Sequence, residues 1–211
     1  MKNKILAGIA ISLFMIGMAG LANATLITGS VWSGPTASPS ANDPEIVPTW
    51  AAQANFTVDA INFDSRRDTF TYNSFLQGAT SSNLNNLVWT YTATGFDINS
   101  FYTGSGFEGS FFQFTGTAYF EESTQIVHDD GFYLTLGNVI YDYSTPVSPT
   151  TTTLDNVAGN YSFILNFGAT NGFPEVLIAP ITNPVPEPAT MLLFGAGLVG
   201  LAGSRLRKNK K

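Results

Sequence analysis

The chain has 211 residues, no cysteine, and a single histidine, His128. Without cysteine there are no disulfide staples, no thiol nucleophile and no cysteine-based zinc site. Lysine is missing between residues 25 and 184, where 14 Asp and Glu face only Arg66 and Arg67. That body is therefore near −12. The whole-chain value of −6 hides this, because seven of the nine basic residues lie at the two ends. Phosphate recognition depends on Lys and Arg, so a nucleic-acid partner is excluded. An acidic surface suits divalent cations or a solvated, non-sticky exterior. Catalytic signatures are missing as well. The sequence holds no Gly-x-Ser-x-Gly elbow, no His-Glu-x-x-His and no phosphate loop. His128 lacks the positioned nucleophile and orienter that a triad needs, and its expected role is structural or solvent-facing.

What is present begins at the termini. Lys2 and Lys4 precede the apolar run Ile5–Leu21, and Ala22-Asn23-Ala24 forms a small-x-small site. Residues 1–24 thus read as a signal peptide, with Ala22 and Ala24 marking cleavage by signal peptidase after Ala24. An uncleaved N-terminal anchor is the alternative. At the other end, Val185-Pro186-Glu187-Pro188-Ala189-Thr190 leads into the apolar stretch Met191–Gly203. The basic tail Arg205, Arg207, Lys208, Lys210 and Lys211 follows. Each prolyl ring fixes φ and extends the residue before it, so Glu187 sits on a stiff segment that a protease can read. Residues 189–203 would make a helix of roughly 22 Å against a hydrocarbon core of about 30 Å. Snorkelling of Arg205 and Arg207 makes up part of the difference, and the cationic cluster suits the cytoplasmic side. On the residues alone, an ordinary C-terminal anchor with a Pro-rich spacer remains the alternative. The order of parts over 185–211 closely resembles the PEP-CTERM sorting signal of bacterial envelope proteins. That resemblance implies recognition of Pro186, Glu187 and Pro188 by the membrane protease exosortase. It also implies a transient membrane anchor and a mature protein released or attached at the surface.

Between the two signals lie residues 25–184, enough for one domain with its own core. Residues 28–49, rich in Gly, Ser and Pro, read as a loop-rich entry segment. Candidate strands follow at Asn55–Phe63, Leu87–Ala93, Ser110–Phe120, Gln125–His128, Phe132–Leu136, Val139–Tyr143, Tyr161–Phe167 and Glu175–Ile181. In Ser110–Phe120, Phe112, Phe114, Ala118 and Phe120 share one face, with Gln113, Thr115 and Thr117 on the other. Tyr161, Phe163, Leu165 and Phe167 repeat that period of two, which marks half-buried antiparallel strands. Gly137-Asn138 has the form of a two-residue hairpin turn. Only Ser65–Leu76 offers a helical period, and Ser144–Thr153 reads as a long surface loop. The expected fold is all-β, an antiparallel sandwich or barrel, flanked by the signal peptide and a short transmembrane sorting helix. Trp89, Tyr102 and Phe107 are assigned to the core rather than to a ligand site.

One segment of the body combines several chemical groups. His128-Asp129-Asp130-Gly131 separates two apolar strands, and Asp-Gly is an ordinary hairpin-turn signal. Adjacent carboxylates point to opposite faces of a regular strand. Directing both at one point takes an unusual backbone, such as a cis peptide, and a hard cation bound by oxygens would sustain it. The two carboxylates would also raise the His128 pKa. The runs Phe114–Phe120, Asp129–Gly137 and Ala158–Phe167 resemble the protective-antigen-type β-barrel domain of toxins, glycosidases and adhesins, over about residues 107–181. In the calcium-dependent adhesins of that family the Asp pair chelates calcium through a cis peptide, and the ion holds sugar hydroxyls. The resemblance implies Asp129, Asp130 and Asn171 as side-chain ligands of calcium, with carbonyls from Gly172 and Phe173. The disulfides of the fungal members have no counterpart here.

The expectation is a non-enzymatic, exported surface or exopolysaccharide-associated protein that binds a polysaccharide with calcium. A structural matrix or coat protein without a specific ligand is the first alternative. A secreted glycan hydrolase using Glu108, Glu121, Glu122 or Glu175 is the second.

Overall fold

The computed structural model describes residues 26–34, 43–64, 71–77, 86–101, 109–145, 148–170, 172 and 174–181. Ala24–Pro184 form one compact unit. The strands, in chain order, are β1 (Ile27–Gly34), β2 (Ala54–Val58), β3 (Ile61–Asp64), β4 (Val88–Thr92), β5 (Gly109–Phe120) and β6 (Ser123–Asp129). They continue with β7 (Phe132–Leu136), β8 (Val139–Tyr143), β9 (Thr150–Asp155), β10 (Gly159–Thr170) and β11 (Val176–Ala179). A short helix, α1 (Tyr72–Leu76), lies between β3 and β4.

The strands build two sheets, a seven-stranded one in the order β4-β2-β1-β5-β10-β7-β8 and a four-stranded one in the order β3-β11-β6-β9. Every pairing is antiparallel. Both alternations read from the sequence hold. On β5, Phe112, Phe114, Ala118 and Phe120 are buried, and on β10 Phe163, Leu165 and Phe167 join them. Phe63 of the small sheet stacks on Phe114 of the large one at 5.4 Å between ring centroids, so the core is an aromatic layer between the sheets. Trp89 belongs to its margin, edge-on to Phe56 at 5.5 Å, with its indole N–H donating to Asn73 Oδ1 at 3.2 Å. Tyr102 and Phe107 lie outside the described residues.

The long central pairing of β5 with β10, twelve residues in unbroken register, forms the spine of the molecule. Gly137-Asn138 closes the β7–β8 hairpin, with Gly137 at φ 58°, as a two-residue primed turn requires. At α1, the Thr71 side chain accepts from the Ser74 amide at 2.8 Å, and the Ser74 hydroxyl accepts from the Thr71 amide at 2.9 Å. Phe75 then reaches Phe63 and Phe112.

Three expectations need correction. Residues 28–49 are not all loop, because β1 runs between β2 and β5 in the interior of the large sheet. Gly29 looked like a loop residue but is a packing residue: a Cβ there would fall on the Phe56 ring. The expected loop Ser144–Thr153 contains the start of β9, whose threonines pair in register with β6. β-Branched residues favour an extended chain, and here that preference outweighs their polarity. Asn55–Phe63 is two strands, not one. β2 lies in the large sheet and β3 in the small one, and the chain changes sheets at Asp59-Ala60.

Beyond β1, residues 43–53 form a strap on the outer face of the large sheet. Asn166 Nδ2 donates to the Pro44 carbonyl at 2.9 Å, and the Trp32 indole N–H donates to the Trp50 carbonyl at 3.0 Å. The Gln53 amide reaches the Val31 carbonyl at 2.9 Å. Beneath the strap, Trp32 and Phe111 meet edge-to-face at 5.4 Å in a small second core.

Candidate functional site

The Asp129-Asp130-Gly131 segment is not a hairpin turn. Asp129 ends β6 in the small sheet and Phe132 opens β7 in the large one, so the segment is a corner that carries the chain between sheets. Its unusual backbone is at Asp130, whose φ of 65° lies in the left-handed region that Asp enters more readily than most residues. Gly131 is required for a different reason: a Cβ there would collide with the Ser144 backbone.

The corner is fastened to the end of β10. Asp130 Oδ2 accepts from the Thr170 amide at 2.6 Å and from the Thr170 hydroxyl at 2.9 Å. The Gly168 amide donates to the Gly131 carbonyl at 3.2 Å. His128 secures the other side. Its Nδ1 meets the Asp130 carbonyl at 2.7 Å, which can only accept, so Nδ1 carries the proton. In the neutral ring Nε2 then accepts from the Thr152 hydroxyl on β9 at 2.9 Å. The ring stands edge-on to Phe132 at 4.7 Å between centroids and is buried.

The sequence-based expectation of a raised His128 pKa is overturned. Burial is the larger influence and lowers it, and the bond to the Asp130 carbonyl only partly opposes that shift. The adjacent carboxylates do not set its charge, because a neutral imidazole inside the fold avoids the cost of a buried cation.

Two further carboxyl groups converge on this end of the sandwich. Val176 of β11 pairs with Asp64 on one side and Asp129 on the other. Glu175 directly precedes it and is fully buried. Asp64, Asp129, Asp130 and Glu175 are thus all buried near one rim. The Glu175 pKa is pushed well above the usual carboxyl value, first by burial and then by the negative charges of Asp130 and Asp129. The sequence had placed Glu175 only among candidate hydrolase carboxylates, and Asp64 in no role. The signal for both was long-range register, which neither local motif nor spacing contains.

Of the residues expected at a calcium site, Asp129 and Asp130 stand together at the corner. Gly172 takes φ 93° close after Thr170. Asn171 and Phe173 lie outside the described residues, as do Glu108, Ala22, Ala24, Pro186, Glu187, Pro188 and the apolar segment 189–203. Among the described residues no group of three or more His, Asp or Glu side chains is arranged to hold a metal ion. The two Asp carboxylates offer oxygen ligands, which suit a hard cation such as calcium. Among the described residues no helix is long and apolar enough to cross a membrane. Glu121 and Glu122 lie at the β5–β6 connection, at the other end of β6 from the corner.

Comparison with known proteins adds two findings. The PEP-CTERM protein-sorting motif matches residues 184–208. Among solved structures, the crystal structure of the PA14 domain of the antifreeze protein MpAFP is similar, with a TM-score of 0.39 and 15% identity, over 78% of this chain and 94% of that one. No curated protein matches the chain. At that score the structural likeness assigns the body no ligand. The sorting motif is specific and stands where the Pro-Glu-Pro segment, apolar run and basic tail had placed it. The chain is an exported protein with a PEP-CTERM sorting signal, an exosortase substrate destined for the cell surface or envelope.

Proposed function

We propose that the folded body is a non-enzymatic carbohydrate-binding module that uses calcium at the corner between its two sheets. Asp129 and Asp130 supply carboxylate ligands, Asn171 a side-chain oxygen, and Gly172 and Phe173 backbone carbonyls. The bound ion would hold sugar hydroxyls of a surface polysaccharide. Signal peptidase cleavage after Ala24 and exosortase processing at Pro186-Glu187-Pro188, after a transient membrane stage, deliver the module there. The observation that carries the reading is the corner itself. Two adjacent carboxylates sit at a left-handed residue, fastened by Thr170 to the strand that leads into the 171–173 loop. The raised Glu175 pKa reflects, after burial, the negative potential of Asp130 and Asp129 at this place.

A structural coat protein is the second reading, and one contact favours it. The Thr170 clamp gives Asp130 a purely structural use in joining the sheets. A glycan array probed with calcium and again with EDTA separates the two. Calcium-dependent capture supports the module, no capture in either condition supports the coat, and equal capture in both keeps a carbohydrate ligand but removes calcium from its binding. Turnover of any array glycan would instead restore the hydrolase reading.

A further inference from the structure

The two sheets have four edges, and they are not alike. On β4 a bulge interrupts the pairing with β2 between Asn55 and Phe56. The β3 edge carries a buried strand with α1 beside it. The β9 edge is a run of threonines ending in Asp155. β8 differs from all three. It pairs with β7 over five residues without irregularity, and no described element lies beyond it. It also exposes three large apolar side chains, Val139 at 53%, Ile140 at 56% and Tyr143 at 39%. Proteins usually blunt such an edge with Lys, Pro or a bulge, and β8 has none of these. Its one charge, Asp142, turns back on Ser144, accepting from the amide at 3.0 Å and the hydroxyl at 2.6 Å.

The strand is also complementary to itself. Leu136 and Val139 close the two-residue hairpin, so residues 139, 141 and 143 use their backbone groups on β7. Alternation then turns the N–H and C=O of Ile140 and Asp142 outward. A second β8 laid antiparallel about Tyr141 would set Ile140 opposite Asp142 of the copy, matching outward groups with outward groups. The same register places Val139 opposite Tyr143 at both ends, a β-branched–aromatic pair of the kind that stabilises sheets. A shift of one residue would lose both matches.

We propose that β8 is a self-association edge, through which two copies of this chain pair about a two-fold axis and join their seven-stranded sheets into one. The occupant is a second copy because the strand satisfies its own register, and two-fold closure is the commonest symmetry of homo-oligomers. Five residues bury far less than the roughly 800 Å² per partner of a standard interface, so the pairing is weak in dilute solution. It becomes effective where copies are crowded on a surface. The two Asp142 carboxylates would lie diagonally, about 8 Å apart, so salt strengthens the association.

The test is sedimentation equilibrium of residues 24–184, one compact unit that holds the hydrophobic core found among the described residues. It is run in EDTA from about 10 µM to about 1 mM, the range of weak interfaces. A reversible monomer–dimer equilibrium is expected. Val139→Lys, which breaks both Val139–Tyr143 pairs and has no carboxylate opposite, should weaken it at least tenfold, Asp142→Asn should strengthen it, and Val88→Lys on the opposite edge should leave it unchanged. Tyr143→Lys replaces Val139→Lys if the latter melts at a lower temperature than the parent. A monomer at every concentration, or a dimer indifferent to both lysine variants, overturns the proposal. EDTA keeps the result independent of the calcium reading.

Discussion

At Gly131 a methyl group would meet the Ser144 backbone, which cannot rotate aside as a side chain can. Gly131→Ala should therefore cost about 3 kcal/mol, seen as a lower urea midpoint at unchanged slope. A loss below about 1 kcal/mol would mean that β8 and the corner are less firmly packed than the geometry requires. The two titrating groups beside it act in opposite directions. Glu175 holds its proton to higher pH in the folded state than its ordinary value of 4.5. Its contribution is complete below that value and is lost as pH rises through the raised one. The His128 pKa is held below 6.5, so its contribution is present above 6.5 and is lost as pH falls through the lowered value. In EDTA the urea midpoint should fall as pH rises from 4.5 through the raised Glu175 value, against the gain that His128 gives up to 6.5, and Glu175→Gln should remove the fall. Parallel curves for the two proteins would show that Glu175 is not the group responsible.

Among the elements, the strap over the outer face hangs on Asn166, which donates to the Pro44 carbonyl and accepts from Gln113 Nε2 at 3.0 Å. Asn166→Ala should loosen residues 43–53 first, costing about 1–3 kcal/mol and speeding amide exchange there more than in β5. Uniform acceleration across the body would instead make Asn166 a global core residue. The same region shows what the sequence can carry. β5 and β10 are legible because Phe112, Phe114, Phe163 and Leu165 share the core face with a period of two, while Gln113, Thr115, Ser162 and Asn166 lie on the other. β1 is illegible for the opposite reason. Its inner face has a glycine under Phe56, and its outer face has Trp32 under the strap, so polarity does not alternate. The Asp-Asp-Gly segment was recognisable as chemistry, but its place between two sheets was not. Hairpin and corner share the same local residues, and only pairing with β9, β10 and β11 tells them apart. Glu175 and Asp64 joined the site through register alone.

For the whole molecule, seven of the nine basic residues lie at the two ends and the acidic body between them carries only Arg66 and Arg67. A signal peptide at one end and a membrane segment at the other, each with its basic flank on the cytoplasmic side, would account for that placement. Replacing Pro186-Glu187-Pro188 by three alanines should leave the protein in the membrane fraction with its tail intact, detected by fractionation and a C-terminal tag. Normal release of that variant would mean the motif is not the processing site. The central claim, calcium at the corner between the sheets, is tested most directly by melting residues 24–184 in EDTA and in millimolar calcium. Calcium at 100 times its dissociation constant should add about 2.7 kcal/mol, a shift of several degrees, and Asp129→Asn with Asp130→Asn should abolish it. An unchanged melting temperature, or the same shift in the double variant, would contradict the claim and leave the corner as a structural joint.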